Sequence, residues 1–242
     1  MLEINNIYNE NCVDFMKKIP NNYISLIIAD PPYFGIVKDS WDNQWKTEQD
    51  YLDWCEQWVI EGNRILKDNG SFYCWGCFGE NNIVFAKLAI IFEKYFKIKN
   101  WINWQHEYGF RGKTNYSYKK EELLFCVKDN KNYIFNVDAI KEKATRAGAS
   151  NTDTRTPSNI WCFKWNNMSK ERIRSFPSQK PIESANRIIK ASSNIDDIVY
   201  IPFGGSGTEI ESCIINNRNW IATEKNKDYI DNIIIKRLKR LQ

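Results

Sequence analysis

"YISLIIADPPY", residues 23–33, decides how the chain is read. From Tyr23 to Ala29 the run is apolar apart from Ser25, the pattern of a central parallel strand covered on both faces. Asp30 then places a charge at the strand's end. Pro31 and Pro32 halt any further ladder, because proline has no N–H and a fixed φ. Tyr33 adds an aromatic face. A strand that ends this way delivers a carboxylate and a flat ring to one rigid position.

Outward from this strand, helix and strand patterns alternate. Thr47-Glu48-Gln49-Asp50 reads as a capping box. Tyr51, Trp54, Trp58 and Ile65 follow at helical spacing, and Asn69-Gly70 reads as the C-cap pair of that helix. Further strands are predicted at 71–78, 100–105, 122–128, 197–203 and 219–224. Further helices are predicted at 83–96, 180–193, 208–216 and 227–241, the last with a basic outer face. Residues 139–176 are polar, basic and without period, longer than an ordinary connection. The alternation predicts an α/β protein with a doubly wound, mostly parallel sheet and helices on both faces. We read residues 1–242 as a single domain in three parts, 1–138, an inserted 139–176, and 177–242.

With 43% hydrophobic residues in 242, the chain can build one sizeable core. Its net charge of +4 permits an anionic partner without demanding one. No signal-like segment and no apolar run near the ~20 residues of a membrane span stand out. The expectation is a cytoplasmic protein with no membrane partner and reduced thiols. Cys74-Trp-Gly-Cys77 has redox or zinc spacing, but no second pair or nearby histidine completes a site. Both cysteines therefore read as structural thiols, and no metal is expected.

A second landmark is Phe203-Gly204-Gly205-Ser206-Gly207-Thr208, between a predicted strand and a predicted helix. Glycines there let the backbone approach a ligand closely, and the helix start offers free N–H groups. Glu224 closes the next predicted strand, where nucleoside-binding folds set an acid against the ribose hydroxyls. The turn lacks the Gly-Lys-Ser/Thr ending of a phosphate cradle. The competing reading is that these glycines only let helix and strand pack closely. Ligands of such sheets bind outside the carboxyl ends of the strands, so Asp30 and the glycine turn are expected to face one crevice.

Together, Asp30-Pro31-Pro32-Tyr33 and Phe203–Thr208 resemble the motifs of the S-adenosylmethionine-dependent DNA amino-methyltransferases, which modify adenine N6 or cytosine N4. The catalytic motif precedes the glycine motif, the permuted order of the beta group, typical of restriction–modification enzymes. Residues 9–33, 61–75 and 176–193 also resemble family segments, so the likeness spans nearly all of 1–138 and 176–242. It implies a Rossmann-like methyltransferase sheet with a catalytic half at 1–138, a target-recognition segment at 139–176 and a cofactor-binding half at 177–242.

The resemblance further implies S-adenosylmethionine as cofactor and double-stranded DNA as partner, with methyl transfer to N6 of a flipped-out adenine. Cytosine N4 is the alternative; an aspartate at position 30 leans toward adenine, because the cytosine enzymes more often carry serine there. Asp30, Pro31, Pro32 and Tyr33 would form the catalytic group. Asn11, Cys12, Asp30, Ser178, Lys180, Phe203, Gly204, Gly205, Ser206, Gly207, Thr208, Glu224 and Lys225 would hold the cofactor. A homodimer and a cognate restriction endonuclease are further partners implied.

Candidate DNA contacts are the bases interleaved with aromatics: Arg111, Lys113, Lys119 and Lys120, then Arg146, Arg155, Lys164, Lys170, Arg172 and Arg174. A plain solvated face is the other reading of such a charge run. His106, the only histidine, is expected after a strand, in a structural or DNA-contacting role. Three positions depart from the family pattern. Ile201 stands where an acid usually precedes Pro-Phe, a carboxylate that commonly lies near the cofactor's ammonium group. Asn11 stands where aspartate is usual, and Phe176 where histidine is common. The missing acid at Ile201 puts cofactor affinity in question, and Ile201 with Asn11 raises a reading from another class, a DNA-binding subunit that has lost catalysis.

Overall fold

The computed structural model describes residues 2–36, 40–78, 83–110, 116–145, 150, 152–163, 172–173, 176 and 178–241, with backbone alone at 106–110 and 118. The chain opens with β1 (Asn6–Tyr8), α1 (Cys12–Met16) and β2 (Ile24–Ala29), then α2 (Glu48–Ile65), β3 (Leu66–Gly76) and α3 (Val84–Tyr95). A hairpin of β4 (Lys97–Phe110) and β5 (Tyr118–Val127) follows. Short strands β6 (Glu142–Lys143) and β7 (Thr154–Arg155) pair with each other, and β8 (Ile160–Trp161) joins the main sheet. The chain returns through α4 (Ile182–Ser192), β9 (Ile198–Ile201), α5 (Thr208–Ile215) and β10 (Asn219–Thr223). It closes with α6 (Lys227–Tyr229), a π turn over Ile230–Ile234, α7 (Ile235–Leu238) and a 3-10 turn over Lys239–Leu241.

Eight strands lie in the order β1-β10-β9-β2-β3-β5-β4-β8. The first five are parallel, while β5 runs antiparallel to both neighbours. The chain leaves β2 toward β3 and leaves β9 toward β10, in opposite directions across the sheet. The adjacent pair β2 and β9 therefore flanks the switch point where open α/β sheets bind ligands.

All six residues of β2 are buried, and alternate ones serve opposite faces. Ile27 and Ala29 pack with α1, α2 and α3 around Trp58, Phe72 and Phe92. Leu26 and Ile28 pack with α4, α5 and the closing helical segment around Ile188, Ile210 and Ile234. Two cores with β2 between them give Asp30 its rigid mounting. The expected capping box is present: Thr47 and Asp50 exchange side-chain-to-backbone bonds of 3.1 Å at the start of α2. Such a cap contributes about 0.5–2 kcal/mol.

The structure departs from the sequence reading in four places. Helix α2 ends at Ile65, and Asn69-Gly70 belongs to β3 rather than to a cap. A Cβ at residue 70 would meet the Ser25 carbonyl oxygen at 2.9 Å and the Leu66 side chain at 2.7 Å, so glycine serves close packing of β3 there. His106 falls within the 14-residue β4, not after it. The described residues of the 139–176 segment are not all loop: β8 pairs parallel to β4, and Arg187 of α4 lies 5.2 Å from the Trp161 ring, 4.7 Å from the Phe163 ring and 3.0 Å from Glu142. On the closing helical segment Lys236, Lys239 and Arg240 face outward, but Arg237 turns inward and pairs with Glu211 of α5. Among the described residues, no helix is long and apolar enough to cross a membrane.

Candidate active site

The carboxyl ends of β1, β2, β9 and β10 open on one cavity of about 450 Å³, within the roughly 300–1,000 Å³ typical of small-molecule sites. Asn11 and Cys12 line it from the start of α1, Asp30 to Tyr33 from the loop after β2, and Pro202 to Ser206 from the turn after β9. Ser178 and Lys180 enter from the stretch before α4, Glu209 from α5, and Glu224 and Lys225 from β10. Trp41, Trp54, Phe176 and Tyr229 supply aromatic wall. The crevice expected between Asp30 and the glycine turn is therefore present.

Lys180 is the hub of the charged end. Its Nζ lies 2.8 Å from Asp30 Oδ2, 3.0 Å from Glu121 Oε2 and 2.9 Å from the Tyr33 hydroxyl. The Tyr33 hydroxyl donates its one proton to Asp30 Oδ1 at 2.5 Å and lies 3.3 Å from Glu121 Oε2. Burial raises the Asp30 carboxyl above its ordinary range, Lys180 opposes that rise, and Glu121 adds to it. Burial pulls the Lys180 ammonium down, but the two carboxylates outweigh it and carry it above its usual value. Burial and the Asp30 charge likewise push the Tyr33 phenol up.

The loop after Asp30 is held by another acid. Asp42 is fully buried; its Oδ1 accepts from the backbone N–H of Tyr33 and, at 3.0 Å, from that of Phe34, and its Oδ2 accepts from Ile36 N–H at 2.7 Å. Phe34 and Gly35 both have positive φ, +64° and +74°. A non-glycine residue held there stores strain of about 1–3 kcal/mol, which the Asp42 bonds maintain. The Pro32 carbonyl accepts from the Tyr51 hydroxyl at 2.7 Å. No described residue donates to the Pro31 carbonyl.

At the glycine end, Gly205 and Gly207 take φ of +48° and +74°, which only glycine adopts without cost. Glu224 accepts from Gly205 N–H at 2.9 Å and from Asn226 N–H at 2.7 Å. Burial raises the Glu224 carboxyl, and these N–H groups restrain it. Thr208 binds both Ser206 and, at 3.4 Å, the Lys180 carbonyl, tying the turn to the charged hub. These features suit a nucleoside bearing an amino-acid arm: a close backbone turn, an acid at its rim, and charged groups beyond.

Of the residues expected at the site, Gly207 and Thr208 lie behind the cavity wall, and all others line it. Lys119 and Lys120 are exposed at the start of β5, where Lys120 pairs with Glu122 at 2.6 Å. Arg155 is exposed and pairs with Glu142 at 3.0 Å, and Arg172 is half-buried. Arg111, Lys113, Arg146, Lys164, Lys170 and Arg174 lie outside the described residues. Sequence reasoning missed Glu121, Glu209 and Asp42. Asp42 carried a signal, an acid beside tryptophan in the loop after the two prolines. Cys74 is buried and Cys77 half-buried, both free, and burial pushes the Cys77 thiol up to about 12.

The family model for DNA methylases matches residues 24–237. The DNA adenine methyltransferase YhdJ of Escherichia coli (strain K12) is 36% identical, over 94% of this chain and 81% of its own. The type II methyltransferase M.HpaI of Haemophilus parainfluenzae is 32% identical, over 91% of this chain and 70% of its own. Among solved structures, the PvuII DNA methyltransferase (cytosine-N4-specific) has the same fold, with a TM-score of 0.75 at 18% identity over 97% of this chain and 91% of its own. The switch-point cavity, the Asp-Pro-Pro-Tyr loop and the family match over most of the sheet converge: this chain belongs to the DNA methylase family.

Proposed function

We propose that this DNA methylase transfers a methyl group from S-adenosylmethionine to the exocyclic N6 of an adenine extruded from duplex DNA. The observation that carries the reading is that Asp30 and the glycine turn line one cavity at the switch point of the sheet. The bound cofactor supplies an electrophilic methyl on a sulfonium. The chain's own residues must hold it and make the amine a better nucleophile.

Adenine N6 is a weak nucleophile because its lone pair is delocalised into the ring. Acceptors on both N–H groups draw the nitrogen toward tetrahedral geometry and free that pair. The Asp30 carboxylate, with about four lone-pair sites, keeps acceptor capacity beside Tyr33 and Lys180. The open Pro31 carbonyl is the second acceptor. Positive charge grows on the amine during transfer, and the fixed carboxylate stabilises it. Lys180 opposes the rise that burial imposes on the Asp30 carboxyl and so favours its charged form. Tyr33 offers a stacking face, worth about 1–3 kcal/mol per base. The methylated amine sheds its proton to solvent, so no general base is needed.

Glu224 takes the ribose hydroxyls and Phe203 to Thr208 wrap the cofactor; Asn11, Cys12, Ser178 and Lys225 complete that end. A base inside a duplex is unreachable, so the nucleotide is flipped out while Lys119, Arg155 and their basic neighbours hold phosphates. Type II relatives extend the proposal to a restriction–modification role, with a cognate endonuclease and a homodimer in the cytoplasm. The test is transfer of labelled methyl to duplex DNA, followed by nucleoside analysis. N6-methyladenine is expected; N4-methylcytosine would reassign the base, and no transfer to any duplex would overturn the reading.

A further inference from the structure

Four acids line the cavity, Glu10, Asp30, Glu209 and Glu224. Three are already engaged: Glu10 by Lys18, Asp30 by Lys180 and Tyr33, and Glu224 by two backbone N–H groups. Glu209 differs. It is 6% exposed in the first turn of α5, and its carboxylate makes no hydrogen bond or ion pair with another described residue beyond its own backbone N–H. The two cations that reach it by charge alone, Lys180 and Arg237, are held by Asp30, Glu121 and Glu211.

A buried carboxylate without a counter-ion is costly, and a fold keeps one where a ligand supplies the charge. The cofactor of the proposed reaction carries two cations, an ammonium and a sulfonium. A sulfonium has no hydrogen to donate. An ammonium donates three and satisfies a carboxylate by charge and by bond together. We propose that Glu209 anchors the ammonium of the cofactor's methionine arm, a role taken from the helix after the glycine turn while the last position of β9, Ile201, is buried and apolar. Burial and the nearby Asp30 charge hold the free carboxyl up at about 7, and a cation bound beside it would favour its charged form.

The inference rests on the cofactor reading of the cavity, and titration calorimetry separates the two. Three probes are used: S-adenosylmethionine, S-adenosylhomocysteine, which keeps the ammonium and loses the sulfonium, and 5′-methylthioadenosine, which lacks the amino-acid arm. Glu209→Gln is expected to weaken the first two by a similar factor, about 10- to 100-fold, and to leave the third unchanged. Glu209→Asp should recover part of the loss. A loss for S-adenosylmethionine alone would assign the sulfonium instead, and equal loss for all three would mean a deformed cavity; either overturns the proposal, as does no loss. If the unaltered protein binds none of the probes, the cofactor reading falls first and takes this inference with it.

Discussion

The ammonium of Lys180 lies 2.8 Å from a carboxylate oxygen of Asp30, across 150 residues of chain. With Glu121 at 3.0 Å the three groups form one cluster, the lysine buried and the two carboxyl groups half-buried. The stretch before α4 is thereby fastened to the ends of β2 and β5. Lys180→Met removes the cation and leaves two carboxylates facing each other, a loss of about 3–5 kcal/mol. Asp30, already raised by burial, rises further without Lys180, so the penalty grows as pH climbs through its folded value. Thermal melting should show a drop of roughly 10 °C at pH 8 and a smaller one at pH 5. Equal drops would separate the destabilisation from the carboxylates.

Asp30→Asn keeps the shape and removes the charge. Turnover at saturating cofactor should fall by about 10²–10³, with DNA affinity unchanged. Single-turnover methyl transfer reads the first and filter binding the second. Transfer within a few-fold of the unaltered protein would take the carboxylate out of the mechanism.

Asp42→Ala leaves three backbone N–H groups at Tyr33, Phe34 and Ile36 without their acceptor. The strained loop relaxes, and Tyr33 and the Pro31 carbonyl lose their aim. Misplacement of this kind costs about 10²-fold in turnover, while the glycine end is untouched. kcat should collapse with cofactor affinity nearly constant, a split seen by measuring both on one preparation.

Glu209→Gln makes a prediction about the free protein. A glutamate carboxyl raised to about 7 costs stability when ionised, on the order of 3 kcal/mol. Asp30, Lys180 and Arg237 are the charged groups that act on it. The sign follows from the raised value: no cost below the unfolded pKa, a growing cost up to about 7, and a constant one above. Without cofactor the variant should therefore melt higher than the unaltered protein at pH 8 and near it at pH 4.5. A variant less stable at both would show that Glu209 supports the fold in another way.

Much of this was legible in the chain because two short signals, Asp30–Tyr33 and Phe203–Thr208, fall at strand ends. Apolar runs fixed β2, β9 and β10, and an acid or glycines after each run marked where chemistry begins. What stayed hidden depends on packing at a distance. Glu121 and Glu122 adjoin on β5 and point to opposite faces of the sheet, and only the folded sheet shows that it is Glu121 whose face meets Lys180. Glu209 looks like any acid in the first turn of a helix, where it complements the dipole; only the folded structure shows it buried and lining the cavity. Asn69-Gly70 suits a helix cap and a crowded strand equally well, and Ser25 across the sheet makes the choice. Arg237 sits in a basic run that is otherwise exposed.

Strand β1 lies directly against β10, with Asn6 opposite Ile221 and Tyr8 opposite Thr223. The first and last strands are thus neighbours, and the chain traces something close to a loop. A tether from the closing helical segment to β1, with new termini cut into the 139–176 segment, would put the glycine turn before Asp30 in the gene while leaving each strand beside its present neighbour. Motif order along such a polypeptide is a matter of where the ring is opened, and the cavity is indifferent to it.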